Sequence, residues 1–173
     1  MEINGIKLED LDKLLKEVEV NKELVKDISL WKVRVRWMEA FRSIAYIRNH
    51  VLKADEPSSL SGFDTSPNAV EYLLASLGFC IIVGYVYNAT RKGIKIKNLE
   101  ISLEGKIDNI LKFLRVSNEG SSGFKEIKLK LYVEAEGDKE KLKEIFRETL
   151  DTSPVTQTLL KEVKINPEIS IVE

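Results

Sequence analysis

Residues 71–90 read EYLLASLGFCIIVGYVYNAT, and from Tyr72 to Ala89 no side chain carries a charge. A helix that is apolar on every side belongs at the centre of a core, at the seam of an oligomer, or in a membrane. Ser76, Gly78, Gly84 and Asn88 interrupt the run, and the flanking segments alternate as strands of a soluble sheet do. The buried reading is therefore preferred. Thr65 or Ser66 is expected as the N-cap, with Pro67 in the first turn and Gly93 as the stop after Lys92. The same stretch holds the only cysteine of the chain, Cys80. That thiol is either a small core hydrophobe or a nucleophile kept in a dry pocket.

Outward from this helix the pattern is mixed. Leu8, Leu11, Leu14, Leu15 and Val18 recur at helical spacing, and a short second turn is expected from Asn21 to Lys26. WKVRVRW, residues 31–37, alternates strictly and reads as a half-solvated strand; FRSIAYI, residues 41–47, reads as its antiparallel partner. HVLKADEP gives a third strand stopped by Pro57, and SSLSGFDTSPN an ordered loop. Beyond the helix, KIKNLEISLEG and FKEIKLKLYVEAEG alternate as strands, with a helical turn and a Gly/Ser loop between them. DKEKLKEIFRETLD is an amphipathic helix capped by Asp138, SPVTQTLLKEV opens a shorter one, and EISIVE is expected to close the chain as a strand. The fold class is α+β. Residues 1–28 form an N-terminal helical extension and residues 29–173 the main domain.

Composition excludes several kinds of chemistry. The 173 residues carry 27 Lys and Arg against 28 Asp and Glu, a net charge of -1, so no global field draws the chain to nucleic acid or an anionic membrane. One His and one Cys cannot supply the usual nitrogen and sulfur ligands of a metal site, and no glycine-rich phosphate loop is present, so no metal or cofactor is expected. A single cysteine forms no intrachain disulfide and suits a reducing cytoplasm. The opening MEINGIKLEDLDKLLKEV has no apolar core of a signal peptide.

A reactive Cys80 has a physical requirement. It stands well beyond the first turn of its helix, where the dipole would favour a thiolate, so a cation must come from another element. Arg34, Arg36, Arg42 and Arg48 are the candidates. Arg42 is preferred, because its same-face neighbours Ile44 and Tyr46 imply a partly buried side.

At this point the sequence resembles the OsmC/Ohr family of thiol-dependent hydroperoxide reductases. The resemblance lies in ADEPSSLSGFDTSPNAVEYLLASLGFC and RKGIKIKNLEISLEGKID, with FRSIAYI before them and DTSPVTQTLLKEVKI after. It implies an intertwined homodimer in which six-stranded antiparallel sheets from both subunits wrap long central helices. It also implies a site at the interface where a thiolate attacks the O–O bond of an organic hydroperoxide and a second thiol closes a disulfide. Carried over by motif, Cys80 matches the attacking cysteine and Arg42 the arginine. Ser153 stands where the resolving cysteine belongs, so an external thiol is the expected reductant. Glu71 is the candidate for the glutamate, displaced by one residue towards Cys80. Nine residues along a helix turn the side chain by about 180°, so Glu71 and Cys80 face opposite ways, and Glu71 equally suits a first-turn anion.

Three readings stay open at the level of sequence. The first is a peroxide-reactive stress protein with Cys80 and Arg42 at work. The second is a non-catalytic dimer that binds an apolar small molecule or lipid in the same pocket. The third is a structural protein without a small-molecule partner.

Overall fold

The computed structural model describes residues 1–26 and 29–171. In chain order the elements are β1 (Glu2–Ile3), β2 (Ile6–Lys7), α1 (Leu8–Val20), β3 (Arg34–Glu39), β4 (Arg42–Ile47), β5 (His50–Ala54), α2 (Ala69–Arg91), β6 (Ile96–Ile107), α3 (Ile110–Phe113), β7 (Phe124–Ala135), α4 (Lys139–Thr152) and α5 (Pro154–Leu159). The α+β class stands, with all strands antiparallel: a three-stranded sheet β3-β4-β5, a long β6-β7 hairpin, and the small β1-β2 pair.

Alternation decides how the long hairpin sits. Leu99 opposes Val133, Ile101 opposes Leu131 and Leu103 opposes Leu129, so one face is continuously apolar. On the other face Glu104 opposes Lys128 and Lys106 opposes Glu126, which suits water. The long helix α2 lies on the apolar face. Gly78 permits the approach: a Cβ there would sit 3.0 Å from Leu103 Cδ1 and 3.4 Å from Ile101 Cγ2. A second small residue, Gly84, brings α4 in, since its Cβ would meet Thr149 Cγ2 at 3.0 Å. Tyr85, Ala89, Ile94 and Ile145 form the centre of the core thus closed. Tyr85 donates its hydroxyl to the Leu142 carbonyl at 3.2 Å, and burial raises its phenol above the usual value.

Both ends of α2 are built by local chemistry. At the start, Asn68 accepts from the Glu71 amide at 3.0 Å, and the Glu71 carboxylate accepts from the Asn68 amide at 2.8 Å. The N-cap is therefore Asn68, and Pro67 precedes it. Thr65 is not available as the cap, because its hydroxyl and amide both donate to Asp55. At the far end Gly93 takes φ +71°, and Gly93 and Ile94 donate to Thr90 and Ala89 at 3.0 and 2.8 Å.

The N-terminal segment departs from a purely helical extension. Asn4 and Gly5, at φ 54° and 76°, turn a two-residue hairpin between β1 and β2 before α1 begins. Asn4 fastens it down: its amide donates to Thr90 Oγ1 and the Ile94 carbonyl at 3.0 and 2.9 Å, and its oxygen accepts from the Ile96 amide at 2.8 Å. The Asn-Gly pair was the available signal. No residue of α1 is buried, so its apolar stripe is less packed than its periodicity implies. The domain boundary placed at residue 28 lies outside the described residues.

Two other expectations change. The first strand of the three-stranded sheet starts at Arg34 rather than Trp31, and it is exposed along its whole length rather than half-solvated, Val35 and Trp37 included. The expected C-terminal strand does not form over Glu168–Ile171, and the last two residues lie outside the described ones. Among the described residues nothing buries Val35 and Trp37, and no strand pairs with residues 168–171. The outer side of α2 is open as well, with Phe79 71% and Val83 69% exposed.

Candidate functional site

Cys80 sits midway along α2, half-buried, on the face turned to α4 and α5. The antiparallel packing of α2 on α4 sets what it meets. Cys80, Gly84 and Asn88 follow one another at four-residue spacing and form one ridge of α2. Across from that ridge, Asn88 Nδ2 donates to Thr149 Oγ1 at 3.2 Å, and Gly84 lies under the same threonine. One turn further along α4 comes Ser153. Its hydroxyl reaches Cys80 Sγ at 3.1 Å, bringing together two of the residues singled out from the sequence.

Ser153 is 3% exposed and ends one helix while starting the next. Its amide donates to the Thr149 carbonyl at 2.9 Å, closing α4. Pro154 in the first turn of α5 then fixes the exit, as its ring favours that position and needs no donor. The Ser153 side chain caps α5, contacting the Thr156 amide at 3.2 Å and the Thr156 hydroxyl at 2.8 Å. Thr156 is the site residue that sequence reading passed over. A serine N-cap followed by proline and then threonine at the third helical position was its signal.

Arg42 occupies a different place. It opens β4, 33% exposed, paired with Glu39 and stacked on the Phe63 ring at 5.2 Å from guanidinium carbon to centroid. Its Nε is buried without a hydrogen-bond partner among the described residues. A cavity of about 150 Å³ beside it is lined by Met38, Ser43, Lys53 and Thr65 among others, and Cys80 is not among its walls. Glu71 is exposed and spent on the α2 capping box. Within one chain, then, the structure joins Cys80 to Ser153 but leaves Arg42 and Glu71 with other partners. His50 is exposed at the start of β5, opposite Ile47.

The loop before α2 holds Phe63 in position over Arg42. Asp55, fully buried, accepts from the amides of Glu56, Phe63 and Thr65 and from the Thr65 hydroxyl, at 2.8 to 3.4 Å. Burial alone would raise its carboxyl; the donors from Thr65, Glu56 and Phe63 outweigh that and hold it below the ordinary value. Gly62 completes the turn, for a Cβ there would fall 1.7 Å from the Glu56 carbonyl oxygen. None of these contacts had a sequence signal beyond the loop composition.

An apolar groove of about 480 Å³ runs between the three-stranded sheet and α2, lined by Val35, Ala45, Leu52, Ala69, Tyr72 and Phe79 among others. A second, of about 410 Å³, lies between α2, β7 and α5 and has Thr156 in its wall beside Leu73, Leu77 and Leu160. No cluster of three His, Cys, Asp or Glu side chains able to hold a metal is present among the described residues.

The antiparallel α+β fold built on a long apolar helix is the architecture of OsmC-like proteins. A family model described as OsmC-like protein matches residues 62–168, and the chain belongs to that family. Its structural relatives agree. An OsmC-like protein from Mycoplasma pneumoniae superposes with a TM-score of 0.65 at 19% identity, covering 76% of this chain and 87% of that one. An organic hydroperoxide resistance protein OsmC from Legionella pneumophila gives 0.53 at 14% identity, covering 75% and 90%. An organic hydroperoxide resistance protein from Elizabethkingia anophelis, with thiocyanate bound, gives 0.53 at 14% identity, covering 74% and 87%. At these identities the likeness is one of fold. No curated protein matches the sequence.

Proposed function

We propose that this OsmC-like protein is a cytoplasmic, thiol-dependent organic hydroperoxide reductase that works as a homodimer, with Cys80 as its only redox sulfur. The observation that carries the reading is the 3.1 Å contact between Cys80 and Ser153, which stands at the family's resolving-cysteine position. In the first step the thiolate attacks the terminal peroxide oxygen. The O–O bond breaks, the sulfur becomes a sulfenic acid, and the alkoxide leaves as an alcohol after taking a proton. Ser153 cannot condense with that sulfenic acid. An external thiol then forms a mixed disulfide with loss of water, and a second thiol releases Cys80.

Arg42 enters this scheme from a second copy of the chain. Its side chain is tied to Glu39 and Phe63 in its own subunit, yet its buried Nε has capacity to spare. In the interface it would stabilise the sulfur anion and the charge developing on the leaving oxygen. Glu71, committed to capping α2, is given no catalytic part beyond that. The exposed apolar surface supports the dimer: Trp31 and Val33 ahead of β3, Val35 and Trp37 on it, and Phe79 and Val83 on α2, are more than a lone soluble chain leaves open to water. α2 has the length and composition to cross a membrane, but its other face is packed on β6 and α4, which favours burial in a dimer.

The test is direct. Treatment with cumene hydroperoxide, trapping with a dimedone reagent and mass spectrometry should place one adduct on Cys80. Its formation no faster than on free cysteine would end the proposal. A second reading, a dimer that holds an apolar ligand without turnover, is favoured by the 480 Å³ groove. Native mass spectrometry of the purified protein reads it, as a co-purifying mass removed by organic solvent.

A further inference from the structure

We infer that Thr156 is a positioning residue that makes Ser153 a fixed hydrogen-bond donor to the Cys80 sulfur. The inference rests on the reading of Cys80 as the reactive group, and it gives the serine a task of its own.

Counting protons forces the arrangement. A serine hydroxyl has one proton and two acceptor sites. The Thr156 amide, at 3.2 Å, can only donate, and so fills one acceptor site of Ser153 Oγ. A sulfur anion has no proton and can only accept. When Cys80 is ionised, the hydrogen in the 3.1 Å contact therefore comes from Ser153. The remaining partner, Thr156 Oγ1 at 2.8 Å, must then donate into the second acceptor site. All three positions around Ser153 Oγ are used, and its proton has a single destination. Burial of Ser153 and Thr156 keeps water from competing for the same sites. Replacing the family's second thiol by serine thus removes the disulfide and leaves a donor aimed at the sulfur.

The size of the effect follows from the bond type. A hydrogen bond to an ionised group is worth about tenfold to a hundredfold to that form. An anion held by a donor is also a weaker nucleophile, which takes back about half of that on a logarithmic scale. Reaction at neutral pH should therefore slow by about threefold to tenfold when the donor is lost or misaimed.

The experiment measures iodoacetamide alkylation of Cys80 at fixed pH in the intact protein and in Ser153→Ala, Thr156→Val, Thr156→Ser and the Ser153→Ala/Thr156→Val double variant. Valine keeps the volume of threonine without the hydroxyl, and serine keeps the hydroxyl. Both Ser153→Ala and Thr156→Val are expected to slow alkylation by about threefold to tenfold, and Thr156→Ser to restore it. The double variant should be no slower than Ser153→Ala, because Thr156 acts only through Ser153. Alkylation of Thr156→Val at the parent rate, a slow Thr156→Ser, or an additive double variant would each overturn the inference. Alkylation reads the sulfur without peroxide. The expected pattern in a protein that cumene hydroperoxide leaves unoxidised would keep this inference and discard the reductase reading.

Discussion

Replacing Ser153 by cysteine should restore an internal disulfide to this site. The two positions are 73 residues apart in sequence and their side chains are in contact at 3.1 Å. A disulfide needs about 2.05 Å between sulfurs, and χ rotations at both residues can cover the difference. Cumene hydroperoxide should first oxidise Cys80, and the introduced thiol should then displace water to close the bridge. A loop of that length removes about 4.4 kcal/mol of unfolded-chain entropy at 25 °C on the chain-entropy model, and strain typically leaves about 2–4 kcal/mol. For a chain of this size each kcal/mol moves the melting temperature by about 2–4 °C, so the oxidised form should melt about 5–15 °C above the reduced form. Loss of the serine cap on α5, about 1 kcal/mol, is common to both forms and cancels. The assay is thermal melting of Ser153→Cys at one protein concentration, with and without reductant, beside titration of free thiols. Thiols that survive peroxide treatment, or a bridge found only between subunits, would refute the placement of Ser153 against Cys80.

Two further outcomes follow from the packing. Gly84→Ala puts a methyl 3.0 Å from Thr149 Cγ2, one turn from the Cys80–Ser153 contact. Better helix propensity and crowding each amount to about 1 kcal/mol and oppose one another, so stability should change little. The bridge in Ser153→Cys/Gly84→Ala should nonetheless close more slowly than in Ser153→Cys, by stopped thiol titration; an equal rate would show that Gly84 does not set the spacing. Asp55 gives the protein an acid limit. Its carboxyl lies below the ordinary value when folded, so its contribution is complete above the unfolded value, near 3.8, and is lost as pH falls through the folded value. Asp55→Asn should therefore be less stable at neutral pH and lose less on acidification, as read by urea unfolding from pH 7 down to pH 2; parallel curves below pH 4 would count against the role of Asp55.

The reach of the sequence differed from one element to the next. The β6 and β7 strands were legible because alternation over 12 residues each admits one register of faces. The stop of α2 at Gly93 and the cap at Asp138 were legible too, since each is a local feature with a typical residue. The N-cap of α2 was misplaced by two or three residues because Thr65, a good cap in isolation, is taken by Asp55. The Asn-Gly hairpin was within reach of local reasoning and was passed over for the amphipathic helix behind it.

By itself, then, the chain of residues determined the class of fold, the family, the apolar helix and the thiol at its middle. These follow from periodicity, capping and motif, which are written in neighbouring residues. The resemblance already set Ser153 against Cys80; only the tertiary structure decided that Thr156 stands behind it. The same holds for Arg42, which turns to Glu39 and Phe63 within its own subunit. Those outcomes depend on how closely two helices approach and on which loop folds over which strand, and such distances are set by Gly84, Gly62 and Asp55 acting across the fold.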